Sequence, residues 1–263
     1  MQPPLPPMPR QSAQMGPAEA FAGTWQRSGV ALRPESKAEI WRVLEEAYGA
    51  RQRHYHNLDH IVDSLAFVGM CLQSGRKLED QAAVEWALWF HDAVYDPKAA
   101  DNEERSARVA ERLLSAAGLP PASVARVRAC ILATATHLHS ADRDEHVVVD
   151  ADMAVLGAPL PRYALYAAGV RREHAHLTDA EFLEGRTKFL RSLLEREQLF
   201  ATDVGKSLEQ QARANIAHEL QLTSVGLFLE SNIEDLPAVA EAPEEEQEMQ
   251  EAEVAARKVA ARA

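Results

Sequence analysis

The stretch "LEDQAAVEWALWFHDAVY", residues 78–95, decides the fold class. From Val84 to Phe90 it is apolar on nearly every side of a helical turn, so a helix there has no face to offer water. It must be wrapped by other elements, and the neighbouring sequence supplies helices to do so. The stretch ends on His91 and Asp92, two groups that are costly to bury without partners. Taken alone, the pair is explained by a helix end near solvent, with Asp92 paired to an arginine.

Working outward, "SKAEIWRVLEEAYG" (36–49) places Ile40, Leu44, Ala47 and Tyr48 on one face and stops at Gly49. "NLDHIVDSLAFVGMCLQSG" (57–75) carries the stripe Ile61, Leu65, Val68, Leu72 and stops at Gly75. "DNEERSARVAERLLSAAGLPP" (101–121) offers Asp101 or Asn102 as N-cap, acids in its first turn, and a Gly-then-Pro stop. Further helical patterns follow over 122–139, 161–177, 178–197 and 206–222, the third opening on a capping box from Thr178 to Glu181. Only "HVVVD", residues 146–150, reads as a strand. The expectation is an all-α helical bundle.

The chain of 263 residues carries a formal net charge of -12, which argues against a nucleic-acid backbone as partner. No run reaches membrane-spanning length. Residues 1–23 are read as a disordered, proline-rich leader, 24–226 as one folded domain, and 227–263 as an acidic and then basic tail, disordered or transiently helical. Cys71 and Cys130 sit in apolar helical patterns. That predicts buried, reduced thiols and a cytoplasmic setting, with a disulfide between them as the alternative.

Three short segments concentrate chemistry. "RHYHNLDH" (53–60) packs three histidines into eight positions. A helix starting near Asn57 places His60 in its first turns, with His56 four positions earlier on the same ridge beside the apolar stripe. His54 falls off that ridge and is assigned to solvent or to a place behind the ligands. "FHD" supplies His91 and Asp92. "VVVDADMAVLG" (147–157) supplies Asp150 and Asp152, one of which is explained by helix capping. Two imidazoles and two carboxylates suit a borderline-to-hard divalent ion, with manganese, magnesium, nickel, zinc and iron all compatible.

"YHNLDH…FHD…DADM" resembles the HD-domain superfamily of metal-dependent phosphohydrolases over roughly residues 53–200. It is most similar to a bacterial group of predicted HD phosphohydrolases that share patterns like "RxYHNLxH", "FHDxVYDP", "NExxSA" and "DxDxxxLG". The first motif also resembles that of cyclic-nucleotide phosphodiesterases, whose purine-clamping glutamine region has no counterpart here. The resemblance implies the all-α HD bundle. It implies His60, His91, Asp92 and Asp152 as metal ligands, with Asp152 preferred over Asp150. His56 becomes the proton donor or a residue that hydrogen-bonds behind the ligands, and an alternative register makes His56 the ligand and His60 its neighbour.

A small phosphorylated substrate, such as a nucleotide, would call for cations. Arg171 and Arg186 lead the candidates, followed by Arg53, while His137 is a candidate pocket residue from the "THLH" helix end. Glu103 is a candidate to reach the site behind the ligands. The expected activity is phosphate-ester hydrolysis by a metal-activated water, with Asp92 orienting that water and His56 protonating the leaving group. The competing readings are an HD fold kept as a ligand-binding regulatory module, and a di-metal HD oxygenase recruiting His137 or Glu103.

Overall fold

The computed structural model describes residues 15–29, 33–138 and 140–228. These form ten α-helices and one short 3-10 helix, with no strand among the described residues. The central segment behaves as its sequence requires. Helix α4 (Gln81–Phe90) is buried at every position from Ala83 to Phe90, and Asp80 caps it by accepting the Ala83 N–H at 3.0 Å. Around it stand α1 (Pro17–Arg27), α2 (Pro34–Tyr48), α3 (Leu58–Gln73), α5 (Asn102–Ala117), α6 (Pro121–Thr134) and α7 (Arg143–Met153). A second apolar cluster joins the 3-10 helix (Ala154–Gly157) to α8 (Leu160–Glu173), α9 (Asp179–Leu194) and α10 (Asp203–Ser224). Helix α7 contributes to both clusters: Val147 and Val148 face the first and Val149 the second.

Three sequence expectations need correction. The valine run is not a strand, because 146–150 lies inside α7. Buried on several sides, it cannot show the alternation that separates strand from helix. The leader does not extend to residue 23: α1 begins at Pro17 and buries Ala20, Phe21 and Thr24. The Phe21 ring lies 5.2 to 6.4 Å from those of Trp25, Trp41, Trp86 and Trp89, and each such pair contributes about 0.5–1.5 kcal/mol beyond area burial. Inside this apolar shell Glu85 is buried, accepting from Thr24 Oγ1 at 2.7 Å and from Arg27 and Gln81. Finally, His56 does not share a helical ridge with His60, because α3 starts at Leu58 and His56 stays in the preceding loop.

The capping box from Thr178 to Glu181 forms as expected. Gly75 and Gly118 stop α3 and α5 with φ of 89° and 95°, a conformation open to glycine. Cys71 and Cys130 are free and buried, and burial pushes the Cys71 thiol up to about 11. Among the described residues no helix is long and apolar enough to cross a membrane. Residues 1–14 of the expected leader and 229–263 of the tail lie outside the described residues, as does His139.

Candidate metal centre

Three helix ends deliver the site. Asn57 caps α3 through its side-chain oxygen, which accepts the N–H groups of Asp59 and His60 at 2.9 and 3.3 Å. This holds His60 in the first turn, pointing inward. His91 is the C-cap of α4, with Asp92 following it. Asp152 projects from the last turn of α7. His60 and His91 are 4 % and 1 % exposed, so neither can serve as solvated surface.

The ligating atoms converge. His60 Nε2 lies 3.2 Å from His91 Nε2 and 3.2 Å from Asp152 Oδ1. His91 Nε2 lies 3.4 Å from Asp152 Oδ1 and 3.1 Å from Asp92 Oδ2. The widest of these separations is His60 Nε2 to Asp92 Oδ2 at 3.9 Å. Ligands about 2.0–2.2 Å from a shared ion stand about 2.8–3.6 Å apart in tetrahedral or octahedral arrangement. The group His60, His91 and Asp152 could therefore hold a metal ion. His91 Nδ1 donates to the Leu88 carbonyl at 2.9 Å, so in the neutral ring the Nε2 lone pair faces the cluster.

The imidazoles and carboxylates of the cluster shift one another. Burial alone would raise the carboxyl of Asp92, but the imidazoles of His91 and His56 outweigh it and hold the group well below the usual range. Asp152 is likewise held down against burial, by His91, His137 and His60. Burial would lower His91, yet the carboxylates of Asp92 and Asp152 drive it well above its ordinary value. The two largely buried carboxylates are thus held ionised by the imidazoles beside them.

Helix α7 also separates the two aspartates of "DAD", since residues two apart on a helix project to different sides. Asp150 is fully buried and accepts the N–H groups of Ala201 at 3.0 Å and Thr202 at 2.7 Å. It anchors the segment that leads into α10. Asp150→Ala is expected to cost about 2–4 kcal/mol, because buried backbone donors lose their acceptor, while Asp152→Ala leaves the fold intact and weakens metal binding. Denaturant unfolding paired with metal titration distinguishes the two variants; the reverse pattern would overturn these assignments.

His56 sits beside the cluster. Its Nδ1 lies 2.6 Å from Glu173 Oε2, and its ring stacks on Tyr95 at 4.4 Å. Glu173 also accepts, through Oε1, the backbone N–H groups of His54, Tyr55 and His56 at 2.8, 2.8 and 2.9 Å, and Oε2 accepts from the Tyr95 hydroxyl at 3.1 Å. Burial would lower the His56 imidazole, but Asp92 and Glu173 raise it overall. The loop can lie this close to α8 because position 169 is glycine: a Cβ there would meet Tyr55 Cβ at 3.0 Å and the His54 carbonyl at 3.2 Å.

Sequence reasoning missed Glu173, although a signal existed. It is the last residue of α8, where a carboxylate opposes the helix dipole and needs another reason to be there.

The remaining candidates divide. His137, held at φ 50°, places Nε2 2.9 Å from Asp152 Oδ2. It lines the cleft of about 520 Å³ that opens over the cluster, as do His56, Asp92, Glu103 and Arg186. The guanidinium of Arg186 is committed to Glu219 at 2.8 and 3.1 Å and to the Tyr166 hydroxyl at 3.1 Å. Arg53 is not brought to the cleft: it donates to the carbonyls of His56, Asp92 and Ala93 at 3.1, 2.7 and 3.3 Å. Arg171 binds the carbonyls of His174 and Leu177 and the carboxylate of Asp179. His54 is exposed, as expected.

No protein-family model, no curated protein and no solved structure matches this chain.

Proposed function

We propose that the chain is a metal-dependent phosphohydrolase acting on a small phosphate ester, with His60, His91, Asp92 and Asp152 as ligands. The observation that carries this reading is the meeting of two imidazoles and two carboxylates from three helices beside an open cleft. The H…HD…D order of these residues, and the likeness of their segments to HD-domain phosphohydrolases, support the same reading. Free, buried cysteines accord with a reducing, cytoplasmic setting.

A divalent ion held there would lower the pKa of a bound water and offset charge on the phosphoryl oxygens. The chain's own residues provide the rest. Asp92 orients the attacking water beside its carboxylate. His56, with Nδ1 tied to Glu173, has Nε2 left to give a proton to the departing alkoxide. Glu173 acts as a positioning residue, fixing both the ring and the loop that carries it. His137 braces Asp152 from the side away from His60 and His91.

The test is elemental analysis of the purified protein, coupled to a panel of generic phosphate esters. About one divalent ion per chain and ester hydrolysis abolished by chelation are expected. A metal-loaded protein inert across the panel would favour a regulatory binding module, and two ions per chain would favour di-metal chemistry.

A further inference from the structure

The cleft is lined by two unlike sets of residues. His56, Asp92, His137 and Asp152 surround the candidate metal position. The 3-10 helix, the end of α8 and α9 also contribute Leu156, Val170, Leu177, Phe182 and Phe189 to the lining, an apolar set interrupted by His174, Glu181 and Arg186. Phe182 and Leu156 are buried core members whose edges reach the cleft, while Phe189 is 37 % exposed.

The charges along the cleft are those that a polyphosphate would avoid. Among the described residues no lysine lines it, and Arg186 is its one arginine. That guanidinium is spent on Glu219 and Tyr166. Arg53 and Arg171 are bound to backbone carbonyls. The cleft is also lined by the acidic residues Glu103 and Glu181, the latter's carboxylate held in its capping box. A dianionic phosphate can be met by an ion and the neighbouring imidazoles. Beyond the histidines, a second or third phosphate would find no lysine and no arginine free of other partners to offset its desolvation, His174 already holding the Val170 carbonyl through Nδ1.

We infer that the substrate is a monophosphate ester whose body is uncharged and largely apolar or aromatic, lying along the Phe182–Phe189 wall with its single phosphate at the His/Asp cluster. This rests on the phosphohydrolase reading and narrows it: nucleoside di- and triphosphates are poor substrates. In the reaction the ester P–O bond breaks as the water oxygen bonds to phosphorus; the alkoxide takes its proton from His56 and leaves as the alcohol, and the proton that the water loses restores the His56 imidazolium.

The experiment uses the full chain loaded with a divalent metal and a series of n-alkyl monophosphates from ethyl to hexyl, with phenyl phosphate, AMP and ATP. Each added methylene is expected to raise kcat/KM by about 3–4-fold until the wall is covered, the factor set by burying one CH₂. ATP should be bound and cleaved at least about tenfold less well than AMP, a gap of about 1.4 kcal/mol. Phe189→Asp, at a half-open position that the core does not need, should flatten the chain-length series. A flat series in the native chain, or a preference for ATP, would overturn the inference while leaving phosphohydrolase activity standing. If no ester turns over, the phosphohydrolase reading fails on that result, and calorimetry with the matching alkylphosphonates still decides the inference: affinity rising with chain length upholds the apolar wall, and a flat response removes it.

Discussion

Asp92→Ala is expected to strip the divalent ion from the protein and to reduce phosphate-ester hydrolysis by about three orders of magnitude, the scale on which one preorganised charge acts in a buried site. Asp92 is one of two carboxylates in the cluster, and its Oδ2 stands 3.1 Å from His91 Nε2. Without it, three donors remain around a centre with half of its negative charge. The variant should still fold. Arg53 grips the Asp92 carbonyl, which alanine retains, and the side chain's near contacts are to the imidazoles of the cluster. Removing a carboxylate beside Asp152 also relieves like-charge crowding. The measurement is metal content and turnover, with thermal unfolding as the control. Added metal at a hundredfold excess over its Kd should stabilise the native chain by about 2.7 kcal/mol and the variant far less. Metal and activity both surviving the change would sink the mechanism.

Glu173→Ala is expected to destabilise the protein by about 3–5 kcal/mol. The reason is the concentration of donors on one buried carboxylate: three consecutive backbone N–H groups, the Tyr95 hydroxyl and the His56 ring. Alanine would leave them without an acceptor in a place that water reaches poorly. The effect has a pH signature. Burial acts to raise the Glu173 carboxyl, but the hydrogen bond and charge of His56 and the backbone donors lower it from 4.5 to about 2. A depressed carboxyl contributes stability that is fully present above its unfolded value and is lost as pH falls toward its folded value. The gap between native chain and variant should therefore be widest above pH 5 and shrink as pH is taken from 4.5 toward 2, as read by urea unfolding at each pH. A gap independent of pH would mean that the carboxylate is not the acceptor described.

The all-α class was legible because α4 is apolar on nearly every side, whereas each His/Asp segment alone was ambiguous and only their combination, with the resemblance, pointed to one cluster. The choice of Asp152 over Asp150 came from resemblance, and helical geometry explains it: one aspartate faces the cluster and the other anchors Ala201 and Thr202. What the sequence concealed depended on long-range pairing. Glu173 lies far along the chain from the loop it holds. Helix α1 hid behind the prolines that precede it, though Phe21 and Trp25 were the clue to its docking. Arginines near the motifs suggested phosphate binding, but an arginine's five donors serve carbonyls as readily as phosphates.

Arg53 shows the practical consequence. One guanidinium joins the carbonyl of His56 to those of Asp92 and Ala93, between the faces of Tyr48 and Tyr95 at 5.0 and 5.4 Å. It is thus a staple between the loop that carries His56 and the turn that carries His91 and Asp92. Lysine has neither the planar fork nor the reach to bridge all three. In an alanine scan scored by turnover alone, position 53 would be grouped with the substrate-binding residues, although its side chain binds only the protein. A map of this cleft drawn from activity loss would place a phosphate contact where there is a structural joint.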